Sequence, residues 1–141
     1  MILGRFAGLR ASEIAACHRD HLERGALYVL GKGGKERWVS VHPEVERVVA
    51  FAPRGFVFPS CSADGHVQGA TVTKWLGDAL PSPWTAHCLR HAFATELFHA
   101  TKDLILVADQ LGHASTRTTE RYVRPDGGLA ARAVANLRLV A

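Results

Sequence analysis

No apolar run in this chain approaches the roughly 18 residues that a membrane-spanning helix needs. The start, MILGRFAGLR, has no basic segment followed by an apolar block and a small-residue cleavage site, so no signal peptide is expected and the default compartment is the cytoplasm. Cysteine is scarce. Cys17, Cys61 and Cys88 are an odd number, widely spaced and without a C-x-x-C, which argues against a disulfide framework and a zinc ribbon. They read as reduced, mostly buried thiols. Internal repeats and low-complexity segments are also missing.

What is present is a chain of 141 residues, 48% apolar and 21% charged, which suits one soluble globular domain. Lys and Arg number 17 against 13 Asp and Glu, a formal charge of +4 that favours a polyanionic partner. From Arg24 to Arg37 the basic side chains Arg24, Lys32, Lys35 and Arg37 surround a glycine-rich turn, either as an anion-binding patch or as a solvated hairpin.

The apolar stretch Ile2 to Ala7 reads as the tail of a helix ended at Gly8, and Ser12 as the N-cap of a short helix through Ala16. Asp20 to Glu23, Ala26 to Leu30 and Arg37 to Val41 read as strands, the last two flanking the hairpin turn GKGGKE. Pro43 opens a helix with Val45, Val48, Val49 and Ala52 on one face, and Gly55 to Ser60 is extended. Val67 to Leu80 has helical spacing of Val72, Trp75, Leu76 and Ala79 and ends at PSP. Thr85 caps a helix over 86–100 with Leu89, Phe93, Leu97 and Ala100 on its core face, and Asp103 caps one from Leu104 to Leu111 stopped by Gly112. A helix from Ser115 or Thr116 carries Thr119, Tyr122 and Val123; after the breaker 125–128, an alanine-rich amphipathic helix runs from Leu129 to Val140. Helical and sheet segments are segregated along the chain, so the expected class is α+β, mostly helical with one small three-stranded antiparallel sheet.

His87, Arg90 and His91 share one helix face. Histidines at i and i+4 could bind zinc, but a zinc hydrolase of the H-E-x-x-H kind needs a glutamate between them, and H-C-L-R-H places a guanidinium there. Read alone, the segment is a helix with two satisfied histidines sooner than a zinc site. Arg10 at a helix start, His113 after a helix end and Tyr122 nine residues later suggest instead a site for one anionic group. The planar arginine fork matches phosphate bidentately, so Arg10 and Arg90 could hold both non-bridging oxygens.

GLRASEI, GKGGKER, HCLRHAFAT and LGHASTRTTERY, in that order, resemble the catalytic domain of the tyrosine recombinases, the phage integrase family, from about Gly8 to Arg124. The resemblance implies that Arg10 and Arg90 clamp phosphate, Lys32 protonates the leaving 5′ oxygen, and Tyr122 is the nucleophile, with His87 and His113 completing the site. Glu13 then supports the first arginine, His91 is structural, and Lys35 and Arg37 touch the DNA backbone or solvate the hairpin. The implied activity is site-specific cleavage and rejoining of double-stranded DNA through a 3′-phosphotyrosine, with no metal and no cofactor. Two alternatives are a DNA-relaxing enzyme like the type IB topoisomerases and a non-catalytic DNA-binding remnant.

Only nine residues precede Arg10, and Ala86 stands where the family often has proline. The expectation is one catalytic domain over 1–141, N-terminally shortened, without the separate DNA-binding domain that the resemblance implies. The full-length protein is expected to form a homo-tetramer on DNA, in a bacterial cell or an infected host. Leu129, Val134 and Leu137 would dock the helix over 129–141 on a neighbouring protomer or on its own domain.

Overall fold

The computed structural model describes residues 1–31 and 33–113. Lys32, Tyr122, the breaker 125–128 and the two helices expected beyond residue 114 lie outside the described residues. Helix α1 (Ile2–Phe6) and helix α2 (Ala11–Ala15) are followed by a 3₁₀ turn, Arg19–His21. Strands β1 (Leu22–Glu23), β2 (Ala26–Leu30) and β3 (Glu36–Ser40) form one antiparallel sheet in the order β1-β2-β3. Helices α3 (Pro43–Phe51), α4 (Gly69–Ala79), α5 (Ala86–Thr101) and α6 (Leu104–Leu111) complete the described α+β architecture. No helix among the described residues is long and apolar enough to cross a membrane.

The pleat of the sheet sorts its side chains by alternation. Leu27 and Val39 are register partners, both wholly buried, and Val29 pairs with Arg37 on that same inner face. Tyr28 and Trp38 pair on the outer face, where their rings meet edge to face at 5.5 Å. Beneath the sheet, Leu3, Leu9, Ile14, Val45, Val49, Val72 and Leu76 build the main core. A second cluster, Ala94, Val107 and Leu111, lies between α5 and α6. Helix α5 bridges the two, giving Leu89 to the first and Phe93 and Leu97 to the second.

Several local expectations shift. Arg10, not Ser12, caps α2: its backbone is extended (ψ 158) and its N–H donates to Glu13 Oε2 at 2.8 Å, so a carboxylate at the third helical position satisfies the cap. The first strand keeps only Leu22 and Glu23, because the Asp20 N–H turns back to His18 Nδ1 at 3.3 Å and the His21 N–H to the His18 carbonyl at 3.1 Å. The segment from Gly55 to Ser60 contributes two isolated bridges, His18 to Phe56 and Pro59 to His66. Trp75, Ala79 and Ala100 are exposed, since the buried stripe of α4 narrows to Val72 and Leu76 and that of α5 to Arg90 and Ala94. Cys17 is buried, with its thiol pushed up to about 12 by that burial, but Cys61 is exposed and Cys88 half-buried. Asp103 caps α6 as its sequence predicts, accepting from the N–H groups of Ile105 and Leu106 at 2.9 and 3.0 Å.

Gly8 turns the chain between α1 and α2 in the left-handed region (φ 62), and an added Cβ would sit 2.4 Å from Phe93 Cδ1. Glycine is required there twice over, by backbone and by space. Gly8→Ala should therefore cost about 2–4 kcal/mol of unfolding free energy by urea titration, from the left-handed conformation and the forced repacking together. A loss under about 1 kcal/mol would show that the α1–α5 contact yields easily.

Candidate active site

Helix α2 starts at a residue whose side chain and main chain both reach the same carboxylate. Arg10 Nη1 donates to Glu13 Oε1 at 2.9 Å while the Arg10 N–H holds Oε2. From β3, Arg37 adds a bidentate fork, Nη1 to Oε1 at 2.9 Å and Nη2 to Oε2 at 3.0 Å. From α5, Arg90 Nη1 lies 3.7 Å from Oε2. One carboxylate with 1% of its side chain exposed thus faces three guanidiniums. Burial pushes the Glu13 pKa up, but the Arg37 hydrogen bonds, the Arg10 N–H and the charges of both arginines outweigh it and hold the carboxyl below its ordinary range. Three positive charges against one negative leave the group with a surplus of positive charge, suited to an anion.

Arg90 is almost enclosed. Its Nη1 donates to the Gly8 carbonyl at 2.5 Å and its Nη2 to the Leu111 carbonyl at 2.6 Å, tying α5 to the turns that end α1 and α6. Nη2 also lies 3.2 Å from His113 Nε2. A guanidinium has no lone pair to accept with, so Nε2 is the acceptor and the neutral imidazole carries its proton on Nδ1. Burial, followed by the charges of Arg90, Arg10 and Arg37, pushes the His113 pKa down to about 4. His113 is therefore a neutral imidazole at physiological pH.

A cleft of about 1030 Å³ opens above this cluster. Arg10, Arg37, His87, Arg90 and His113 all line it, so five of the expected site residues, drawn from the start of α2, from β3, from α5 and from the turn after α6, converge on one space. Arg10 is its accessible guanidinium, with 35% of the side chain exposed against 5% for Arg90. Lys35 also lines the cleft, from the hairpin turn that the Gly31 N–H closes onto the Lys35 carbonyl at 2.7 Å. His91 is on the exposed side of α5 and is not among the lining residues; Glu13 sits under the floor.

Arg37 does not solvate the hairpin: its side chain is 10% exposed and turned toward Glu13 at the edge of the cleft, because Glu36 opens β3 and alternation puts Arg37 on the side of Val39. Residues that the motifs did not indicate are Thr73 and Thr85, whose chains border the cleft, and the carbonyls of Gly8, Gln110 and Leu111, which accept from arginines. The Thr85 hydroxyl meets Cys88 Sγ at 3.4 Å instead of capping α5. Among the described residues no group of three or more His, Cys, Asp or Glu is placed to hold a metal ion.

The model of the phage integrase family matches residues 3–127. The chain belongs to the phage integrase family. Two curated proteins are similar over most of this chain: a tyrosine recombinase XerC of Rhodospirillum centenum, 38% identical over 134 residues, covers 84% of it, and a tyrosine recombinase XerD of Caulobacter vibrioides, 34% identical over 142 residues, covers 86%. The chain spans 39% and 47% of the length of these two proteins. Among solved structures, the integrase from mycobacterium phage Brujita superposes with a TM-score of 0.71 at 29% identity, covering 97% of this chain and 50% of that one. The XerH site-specific recombinase bound to its difH substrate superposes with a TM-score of 0.69 at 28% identity, covering 95% and 44%.

Because folding lowers the His113 pKa from 6.5 to about 4, the unfolded chain takes up its proton first as pH falls. The contribution of His113 to stability is thus complete above about 6.5 and is lost between there and about 4. Titration of its ring protons by NMR should give a midpoint near 4; a midpoint near 6.5 would mean that the imidazole is solvated and detached from Arg90. Glu13→Gln, which leaves three guanidiniums around a neutral amide, should cost about 3–5 kcal/mol in chemical denaturation. A loss under about 1 kcal/mol would show that the arginines readily find other partners.

Proposed function

We propose that this chain is the catalytic domain of a site-specific recombinase, which cleaves double-stranded DNA through a covalent 3′-phosphotyrosine and rejoins it to the 5′-hydroxyl of another strand. The observation that carries the reading is the cleft lined jointly by Arg10, His87, Arg90 and His113 over a cluster with surplus positive charge. The names of the similar proteins support it: they are recombinases and integrases, and XerH is bound to a difH substrate.

In this reading the scissile phosphate enters the cleft and its non-bridging oxygens accept from Arg10 and Arg90. Tyr122 Oη forms a bond to phosphorus, and its proton passes to the His87 imidazole. The bond from phosphorus to the 5′ oxygen breaks, and Lys32 protonates that oxygen. Attack by the incoming 5′-hydroxyl reverses these transfers, so the phosphotyrosine conserves the energy of the broken diester. A free tyrosine has a pKa of about 10, so only about one in a thousand is phenolate near neutral pH, and unaided attack would be slow. The arginines meet that cost by stabilising charge on the phosphoryl group as it develops. His113, neutral with Nδ1 protonated, contributes a hydrogen-bond donor rather than a further positive charge. The whole protein is proposed to act on DNA as a homo-tetramer together with an N-terminal DNA-binding domain.

The test is incubation with a pool of nicked duplexes of randomised sequence in EDTA, followed by a denaturing gel and mass mapping of any adduct. A covalent adduct on Tyr122, absent from Tyr122→Phe, is the expected result. Arg10→Ala should lower adduct formation at least about a hundredfold, as removal of a preorganised donor set does. An adduct persisting in Tyr122→Phe would falsify the nucleophile assignment, and DNA binding without any adduct would favour a non-catalytic role.

A further inference from the structure

Arg37 has three sets of contacts, each to a different part of the site. Its fork holds both oxygens of Glu13, the carboxylate that also orients Arg10. Its Nε–H donates to the Gln110 carbonyl at 3.1 Å, in the last turn of α6. Its guanidinium packs flat on the turn that follows: a Cβ on Gly112 would lie 2.8 Å from Arg37 Nη1 and 2.9 Å from its Cζ. Gly112 is in the left-handed region (φ 62), and its carbonyl is 3.5 Å from Arg10 Nη2. The next residue is His113, whose N–H donates to the Ala108 carbonyl at 3.0 Å.

We propose that Arg37 is a positioning residue, a brace between β3, the Arg10–Glu13 pair and the Gly112 turn that sets both Arg10 and His113 in the cleft without itself touching DNA. The proposal rests on the recombinase reading of the cleft. Arg37 borders the cleft with only 10% of its side chain exposed, and its Nε, Nη1 and Nη2 each donate inward, to Gln110 and Glu13, whereas Arg10 presents 35% of its side chain. Arg37 also stands two residues from Lys35, so the brace connects the hairpin turn directly to the arginine cluster. Lysine cannot take its place. An ammonium is a point donor and cannot hold two carboxylate oxygens in a plane while reaching the Gln110 carbonyl.

The experiment compares the parent chain with Arg37→Lys, which keeps the charge, and Arg37→Gln, which removes it, in three measurements. Single-turnover adduct formation on the nicked duplex pool, well below the unfolding midpoint, should fall at least about thirtyfold, as expected when a small misplacement reaches the reacting groups. The salt dependence of DNA affinity, read on Arg37→Gln because lysine would keep the charge of a phosphate contact, should match that of the parent, whereas loss of a phosphate contact would reduce the slope of log affinity against log salt by about 0.9. In the DNA-free chain, the Arg10 Nε–Hε and Gly112 amide resonances should move. Adduct formation within about threefold of the parent, a reduced salt slope, or unmoved resonances would each overturn the proposal. If Arg37→Lys does not unfold cooperatively, Arg37→Gln, which keeps one amide donor toward Glu13, carries the same measurements. A parent chain that forms no adduct sinks the recombinase reading by itself, and the resonances still decide whether Arg37 braces Arg10 and Gly112.

Discussion

The Glu13 carboxylate is the point to which the rest of the site is referenced. Three arginines from α2, β3 and α5 meet at a group with almost no exposure to water. Removing that many charges from water costs several kcal/mol for each ion, and close pairing with well-directed hydrogen bonds offsets it. The arrangement tolerates little slack. Each guanidinium must stay where its partner is, so the charges are in place before any anion arrives, which is the condition for electrostatic stabilisation without reorganisation.

Backbone turns supply the rest of the constraint. Gly8 and Gly112 both lie in the left-handed region, one before α2 and one after α6. Arg90 reaches the Gly8 carbonyl at one turn and the Leu111 carbonyl beside the other, and Arg37 lies flat against Gly112. The close approach of arginine to main chain depends on a missing side chain at Gly112 as much as on the charges. The same packing explains the neutrality of His113, which shares a partly dry space with three guanidiniums and accepts a hydrogen bond from one of them.

Much of this was legible from residue order. The hairpin strand Ala26–Leu30 shows in its alternation, the cap of α6 in Asp103, its stop in Gly112 and the face of α3 in Val45 and Val49. The ordered motifs pointed to Arg10, His87, Arg90 and His113, which share one cleft. The burial of Arg37 is not legible, because basic residues around a glycine turn resemble a solvated patch. Its signal was present in the period of two that places it on the side of Val39, but hydrophobicity alone does not reveal a charged residue on an inner face. Trp75 failed in the opposite direction: helical spacing placed it with Val72 and Leu76, yet it stays half exposed beside Phe58.

By itself the sequence determined the family and most of its helices and strands, since turn glycines, caps, alternation and motif order are local properties written in neighbouring residues. Tertiary structure alone decided how the arginines divide their work. That division depends on which guanidinium is shielded from water and which carbonyls lie within reach: Gly8, Gln110, Leu111 and Glu13 come from segments remote in sequence. Three identical guanidiniums thus come to differ, one open to the cleft, one enclosed between two turns and one turned inward on Glu13, because packing gives each a different environment, and no local pattern records it.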